Sequence, residues 1–198
     1  MTRRVPVLRR RDQDGFTVIE LVISMVLIGT IFMIFSVTMG STIRNSSEVQ
    51  EDAVLQGEVR ATVDAIAKDL RQAYTGNGTP ALETMTGTQL QFLSPDRQTP
   101  FHLRRIAYRL VSKRIERASA TTTNTGAPPW TFPALSSYTK QVGSVVGSSV
   151  FAYYDAAGAV TSNAADVAGV TIRVTVATPQ SPNRQFTYAT SVALRVAQ

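Results

Sequence analysis

Hydrophobic residues form one long uninterrupted stretch near the start of the chain. Residues 21–43 contain no charged residue and no proline, and Leu, Ile, Val, Met and Phe dominate them. In a helix, the 23 residues from 21 to 43 inclusive rise about 35 Å, enough to cross a hydrocarbon layer of about 30 Å. A helix of a soluble protein rarely stays apolar on every face over this length. The pattern therefore predicts a transmembrane helix, and the alternative is a buried core helix.

After this stretch the pattern changes to that of an amphipathic helix. Apolar residues recur every three or four positions along one face: Leu55, Val59, Val63, Ile66, Leu70 and Tyr74. Charged residues lie on the opposite face: Glu51, Glu58, Arg60, Lys68 and Arg71. Gly76 and Pro80 then supply stop signals. The two patterns together predict one continuous helix from Phe16 to Tyr74.

Strand patterns follow in the second half of the chain. Residues 88–93 alternate between polar and apolar, and so do residues 170–176 and 186–196 on either side of a turn. The last two segments predict an antiparallel hairpin. Residues 149–154 predict a further strand, which ends at a turn containing Gly158.

Residues 101–117 are ambiguous, because their apolar positions fit both an alternating strand and one face of a helix. We predict two strands, since residues 114–117 can pair with the preceding segment across a turn at Ser112 and Lys113. Residues 119–148 are rich in Thr, Ser, Gly and Pro, so we expect a long surface loop there. The predicted fold class is α+β: a long N-terminal transmembrane spine helix followed by an antiparallel β-sheet head.

The basic charge is concentrated before the apolar stretch. The net charge is +6, and residues 1–15 contribute +3 of it, from five arginines and two aspartates. The positive-inside rule then predicts a cytoplasmic N-terminus and an exported segment from residue 44 onwards. An ordinary secretory signal peptide fits less well, because its apolar region is shorter than this one.

One acidic residue, Glu20, interrupts the apolar sequence. A charge at mid-bilayer costs about 2.5–3.5 kcal/mol on insertion scales, so such a residue normally has a partner or a function. The alternative is that Glu20 lies at the headgroup boundary and extends into water.

The surrounding residues resemble a known signature. The N-terminal segment is similar to that of type IV prepilins, the family of type IV pilins and type II secretion pseudopilins. It has a short basic leader, then Gly15, Phe16 and Glu20, and then the long apolar stretch. The head also resembles that of J-type minor pseudopilins in three short segments: Tyr108-Arg109-Leu110, Tyr153-Tyr154-Asp155 and Val192–Val196.

The resemblance implies a role for each signature residue. Prepilin peptidase would cut between Gly15 and Phe16 and would then N-methylate Phe16. Glu20 would guide assembly by pairing with the terminal ammonium group of a neighbouring subunit. Asp12 and Asp14, close to the cut, depart from the usual basic or neutral residues. The implied organisation is a leader peptide (1–15), a transmembrane half (16–43) and an exported half (44–78) of the spine helix, and a head (79–198).

Electrostatics independently favours a pairing at Glu20. The cut creates an α-ammonium group with a pKa of about 7.7–8.0, which is mostly charged at neutral pH, and methylation keeps that charge. The carboxylate then lies near a helix N-terminus, where the macrodipole favours an anion. An ammonium and a carboxylate from adjacent chains neutralise each other where either alone would be costly.

A basic cluster lies in the predicted head. Seven basic residues and one acidic residue, Glu116, lie between positions 97 and 117; the basic ones are Arg97, Arg104, Arg105, Arg109, Lys113, Arg114 and Arg117. On strands they would form a stripe for DNA phosphates, and Arg104, Arg105, Arg109 and Arg114 are the predicted DNA or partner contacts. The alternative is a solvated face or a surface that meets acidic neighbours.

No pattern typical of an enzyme is present. Cysteine is absent, and the single histidine, His102, lacks a nucleophile elbow. Asp155, Asn163 and Asp166 do not match the spacing of a calcium loop. The sequence also lacks a phosphate-binding glycine loop. We therefore expect no catalysis, no cofactor and no metal.

The sequence predicts a minor pilin or pseudopilin, stored in the inner membrane and assembled into a type IV pilus-like or type II secretion filament. Its expected partners are prepilin peptidase, other pilins or pseudopilins, the inner-membrane assembly platform and the lipid bilayer. One alternative is a DNA-binding minor pilin of a competence pilus. The other is an unprocessed single-pass membrane protein.

Overall fold

The computed structural model of the chain describes residues 17–74, 80–96, 99–124, 129–135, 137–178 and 182–194. Of residues 41–45 it describes the backbone alone. The chain divides into two compact units, residues 1–49 and 50–198. The fold is α+β, as predicted, with a long N-terminal helix followed by antiparallel strands.

Helix α1 runs from Val18 to Leu70. It ends four residues before the predicted end at Tyr74, because the backbone N–H of Tyr74 donates to the carbonyl of Leu93 at 2.7 Å instead of continuing the helix. The predicted stop signal at Gly76 lies outside the described residues.

The first unit contains the apolar part of α1. Residues Val18–Gly40 are long and apolar enough to cross a membrane. The hydroxyl groups of Ser24, Thr30 and Ser36 each donate to a carbonyl four residues earlier, at 2.7 to 3.0 Å. A hydroxyl that is bonded within its own helix needs no outside partner, so these residues are compatible with a lipid environment.

The second unit contains two antiparallel sheets. The first has the order β1-β2-β3-β4-β5, and its strands are Leu82–Met85, Gln89–Asp96, His102–Val111, Arg114–Thr121 and Thr139–Val142. In the second, β8 (Gly169–Ala177) is central. It pairs with β6 (Val145–Val146) and β7 (Phe151–Tyr154) on one side and with β9 (Gln185–Ala193) on the other.

The core of the second unit forms where the predicted apolar face of α1 packs against both sheets. Val59, Val63, Ile66 and Leu70 are at most 2% exposed and join one cluster with residues of β2, β3, β8 and β9. The charged residues predicted on the opposite face are exposed. The amphipathic prediction is therefore confirmed for these residues, whereas Leu55 is only partly buried and Tyr74 lies beyond the end of the helix.

The strand predictions are confirmed where the structure describes the chain, while residues 195 and 196 of the last predicted strand lie outside the described residues. One loop prediction is wrong, and one strand was not predicted. The strands around Ser112 and Lys113 pair from Val111 opposite Arg114 onwards, and both turn residues have positive φ, 49° and 61°. The long loop predicted over residues 119–148 contains the end of β4 and all of β5 and β6. Val142 and Val145 are at most 1% exposed, and their burial holds those strands in place. Strand β1 was not predicted.

Candidate functional site

Helix α1 begins with a cap formed by Thr17 and Glu20. The backbone N–H of Glu20 lies 3.3 Å from Oγ1 of Thr17 and 3.1 Å from its carbonyl oxygen. The sequence Thr17-Val18-Ile19-Glu20 has the spacing of a capping box, in which a threonine is followed three residues later by a glutamate. The cap explains why the helix begins at Val18, and Glu20 is the acidic residue of its first turn.

The carboxylate of Glu20 forms no hydrogen bond or ion pair with any residue that the structure describes. Its side chain is exposed, and its neighbours on the helix are apolar: Val18, Ile19 and Leu21 are 51–82% exposed. An anion surrounded by apolar surface is costly in lipid unless a cation reaches it. The site therefore has an unneutralised charge next to a surface suited to lipid or to other apolar helices. Gly15 and Phe16, the predicted cleavage and methylation residues, lie outside the described residues.

Three members of the predicted basic cluster, Arg105, Arg109 and Arg117, are paired with carboxylates. Arg105 donates to both carboxylate oxygens of Glu83 on β1, at 2.6 and 2.8 Å. Arg109 donates twice to Oε2 of Glu116 on β4, at 2.9 and 2.7 Å. These pairs cancel much of the positive charge that the sequence placed on this face.

Aromatic rings cover the same two arginines. The guanidinium of Arg105 lies 4.1 Å from the ring centroid of Phe132, and that of Arg109 lies 3.5 Å from the centroid of Tyr138. Cations at this distance from a ring face are attracted to it. Phe132 and Tyr138 belong to the segment expected to be a surface loop, which here packs over the sheet. A phosphate group would have to displace both a carboxylate and a ring from either arginine.

Arg117 faces the other side of the first sheet, where it joins helix α1. Its guanidinium lies 3.0 Å from Oδ2 of Asp69, and the hydroxyl of Tyr108 donates to the same oxygen at 2.8 Å. Burial, together with the adjacent Asp69 carboxylate, raises the pKa of Tyr108 above its ordinary value of 10.0, so the phenol stays neutral and acts as a donor. This network is structural.

The remaining basic residues do not form a continuous stripe. Arg104 is half-buried, and its Nε is a buried atom without a hydrogen-bond partner in the described part of the chain. Lys113 and Arg114 are exposed at the hairpin turn. Arg97 lies outside the described residues. The structure thus separates the four arginines predicted to contact DNA into two that are paired, one half-buried and one exposed.

The residues weighed for catalysis or metal binding lie in ordinary structural positions. Nδ1 of His102, on β3, is 3.5 Å from the hydroxyl of Thr122. Asp155 accepts hydrogen bonds from two turn amides, and Asn163 donates to Asp166 at 2.7 Å. Within the described ranges, no cluster of three His, Cys, Asp or Glu residues could hold a metal ion.

Part of the chain matches the model of a known family. Residues 10–40 match the family described as the prokaryotic N-terminal methylation motif. No curated protein matches the chain. The match covers the last six residues of the basic leader, the capped helix start and most of the apolar stretch, and it supports a type IV prepilin-like protein. The motif implies processing by prepilin peptidase and assembly with other pilins, and with the apolar helix it fits a protein anchored in the inner membrane.

Sequence reasoning missed two features of this region. The N-cap at Thr17 has a sequence signal, a threonine followed three residues later by a glutamate, although the structure forms only the bond from the Glu20 N–H to Thr17 Oγ1. The acidic partners of the arginines gave no usable signal, because Glu83 and Asp69 lie 22 and 48 residues from Arg105 and Arg117.

Proposed function

We propose that this chain is a minor pilin or pseudopilin, a structural subunit of a type IV pilus-like or type II secretion filament. Prepilin peptidase cuts it between Gly15 and Phe16 and methylates the new N-terminus. The mature subunit then leaves the membrane for the filament through its apolar helix. The observation that supports this proposal most is an unpaired glutamate at the start of an apolar helix that matches the methylation motif.

The proposed assembly step uses charge neutralisation. In the membrane, Glu20 lies close to the start of the helix, where the macrodipole and the headgroup region reduce the cost of its charge. In the filament, apolar helices replace lipid and water, and the carboxylate needs a cation. The terminal ammonium group of Phe16 on a neighbouring subunit is a suitable one, since cleavage makes Phe16 the first residue and Glu20 the fifth residue of the mature chain. A subunit out of register would leave two buried charges unpaired, so the pair selects one register.

We propose that the protein catalyses no reaction. Its chemistry is that of a substrate: one peptide bond of the chain is hydrolysed, and one methyl group is added to the new amine. The proposed topology has residues 1–15 in the cytoplasm and the head outside the inner membrane, because the five leader arginines precede the span.

The proposal is tested by substituting Glu20 and measuring two steps separately. In cells with prepilin peptidase and the filament system, mass spectrometry of the purified chain gives the N-terminus, and the sheared filament fraction gives incorporation. We expect Glu20→Ala and Glu20→Gln to be cleaved and methylated at Phe16 but to be absent from filaments. Glu48→Ala, on an exposed part of the same helix, is the matched control and should be incorporated normally.

Two results would reject the proposal. An intact Met1 in cells with active peptidase would favour an unprocessed single-pass membrane protein. Normal incorporation of Glu20→Gln would show that assembly does not need the charge pair, because glutamine keeps the size and loses the charge.

The DNA-binding alternative stays a prediction, and the pairing of Arg105 and Arg109 with carboxylates does not favour it.

A further inference from the structure

Strand β9 forms an open edge of the second sheet. It pairs with β8 without interruption, from Gly169 opposite Ala193 to Ala177 opposite Gln185. Strands β6 and β7 occupy the other side of β8. No described strand pairs with the outer side of β9.

The other edge strands of the described sheets are protected, and β9 is not. Strand β1 has four residues and an irregular register, and β5 has four residues, an irregular register and Lys140. Strands β6 and β7 have two and four residues. Proteins block edge pairing by short strands, bulges, lysine and proline. Strand β9 has nine residues, a regular register, no charged residue and no proline.

The hydrogen-bond pattern identifies which amides of β9 face outwards. The N–H groups of Arg173 and Ala177 donate away from β9, to Val150 and Ser144, at 2.9 and 3.0 Å. The intervening residues of β8 therefore bond to β9, and their partners are Phe186, Tyr188, Thr190 and Val192. By alternation, the backbone groups of Thr187, Ala189 and Ser191 point to the open side.

A groove runs along this edge. It has a volume of about 460 Å³ and lies between residues 56–60 of α1 and residues 185–188 of β9. The lining includes the consecutive residues 185–188 of β9, whose side chains point alternately to opposite faces of the sheet. The groove therefore lies at the edge of the sheet. Gly57 lies on the helix side, and a Cβ at that position would meet nothing within 4 Å. An additional strand beside β9 would cover the groove and would place an apolar side chain next to Gly57.

The outer face of the sheet adds a charge requirement. Arg173 is exposed, lies opposite Ala189, and has no acidic partner among the residues that the structure describes. Neighbouring strands lie about 4.8 Å apart, and the single methyl group of Ala189 leaves the long arginine side chain free to reach across β9. A carboxylate on an added strand, opposite Ala189, would lie within its reach.

We infer that the open edge of β9 binds an extended segment of a partner protein, which adds a strand to the sheet. The segment places an apolar residue beside Gly57 and an acidic residue opposite Ala189. Main-chain hydrogen bonds supply the affinity, and these two side chains supply the specificity. The inference concerns residues 56–60, 169–177 and 185–193 alone, so it does not depend on leader cleavage or on Glu20.

Amide hydrogen exchange on the full chain in detergent micelles tests this inference. The probe is a blocked nine-residue peptide of alternating valine and threonine with a central glutamate. Binding should slow exchange at Thr187, Ala189 and Ser191. It should leave Tyr188 and Thr190 unchanged, since β8 already protects their amides. If the peptide binds without slowing the first three amides, it does not add a strand and the inference fails.

Two variants separate strand addition from other contacts. Ala189→Pro removes an outward N–H group without removing a bond to β8, so the β8 amides should stay protected while peptide affinity falls at least about tenfold. Arg173→Glu should reverse the charge preference. The wild-type chain should bind the glutamate peptide about two- to fivefold more tightly than a peptide with lysine at its centre, and the variant should prefer lysine.

Two further outcomes would overturn the inference. If the wild-type chain and Arg173→Glu each bound the glutamate and lysine peptides equally well, the partner segment would not need an acidic residue. Concentration-dependent protection of Thr187, Ala189 and Ser191 without peptide would identify a second copy of the chain as the occupant. Neither outcome bears on cleavage at Gly15, so this inference and the proposed function fail separately.

Discussion

Arg117 and Asp69 form an ion pair of 3.0 Å that joins strand β4 to the last turn of helix α1. An anion in the last turn of a helix is disfavoured by the macrodipole. Here the arginine and the hydroxyl of Tyr108 both contact Oδ2 of Asp69, so the unfavourable position is offset by two partners from the sheet. The network connects the end of the helix to two adjacent strands.

Removing Asp69 should therefore destabilise the head. We expect Asp69→Ala to lower the free energy of unfolding by about 1–3 kcal/mol, because Arg117 and Tyr108 lose their acceptor in a half-buried site. Urea unfolding of the full chain in micelles, followed by the fluorescence of Trp130, measures the change. Asp64→Ala is the control: its pair with Arg60 is exposed and 3.9 Å long, so the expected cost is under about 0.5 kcal/mol. Equal costs for the two variants would contradict this account.

The stability of the head should fall in strongly alkaline solution. Burial raises the pKa of Tyr108 and of Tyr153 above 10.0 in the folded state, so the folded chain retains two protons that the unfolded chain loses. Their contribution is complete below pH 10 and is lost as the pH rises above it, by about 1.4 kcal/mol per pH unit for each tyrosine. Between pH 8 and 11, the free energy of unfolding should fall less steeply with pH in Tyr108→Phe than in the wild-type chain. A slope unchanged by that substitution would exclude this tyrosine as the cause.

The stability of the head should depend on the buried face of helix α1. Ile66 is fully buried, and Ile66→Ala should cost about 2–5 kcal/mol because it leaves a cavity between the helix and the sheets. Val54 is 56% exposed on the same helix, and Val54→Ala should cost under about 0.5 kcal/mol. Thermal unfolding of the two variants in micelles gives the comparison. A small effect at Ile66 would mean that the helix is not packed as described.

The paired arginines should behave as structural residues. Arg105→Glu places a second acid beside Glu83 and should cost about 1–3 kcal/mol, whereas Arg114→Glu at the exposed turn should be nearly neutral in stability. Both substitutions change the net charge by the same amount, so a general charge effect should weaken DNA binding equally in the two variants. Fluorescence anisotropy with duplex DNA measures that binding separately from stability. If Arg105→Glu abolished DNA binding without loss of stability, the arginine would be a nucleic-acid contact.

The cap at Thr17 should affect the start of the helix alone. Thr17→Ala removes the oxygen that accepts from the N–H of Glu20 and should cost about 1 kcal/mol of local stability. Amide exchange at Glu20 should become faster while exchange in the head stays unchanged. Filament incorporation should persist, because the carboxylate remains. Loss of incorporation in this variant would mean that the cap, rather than the charge alone, is required.

Local patterns predicted most of the elements. The apolar stretch, the buried stripe of Val59, Val63, Ile66 and Leu70, and the hairpin across Ser112 and Lys113 were all visible in the sequence, since each depends on neighbours within a few residues. The loop prediction over 119–148 failed for the opposite reason. Threonine and serine in β4 and β5 resemble loop composition until a partner strand pairs with them.

The sequence by itself determined that a basic segment precedes a long apolar helix, because charge and hydrophobic periodicity are properties of adjacent residues. Only the tertiary structure decided what the basic residues of the head do. Arg105 contacts Glu83, 22 residues away, and Arg117 contacts Asp69, 48 residues away. Whether an arginine can bind a ligand or is paired within the fold depends on the side chains that pack against it. Strand pairing and the packing of α1 on the sheet bring those side chains into contact.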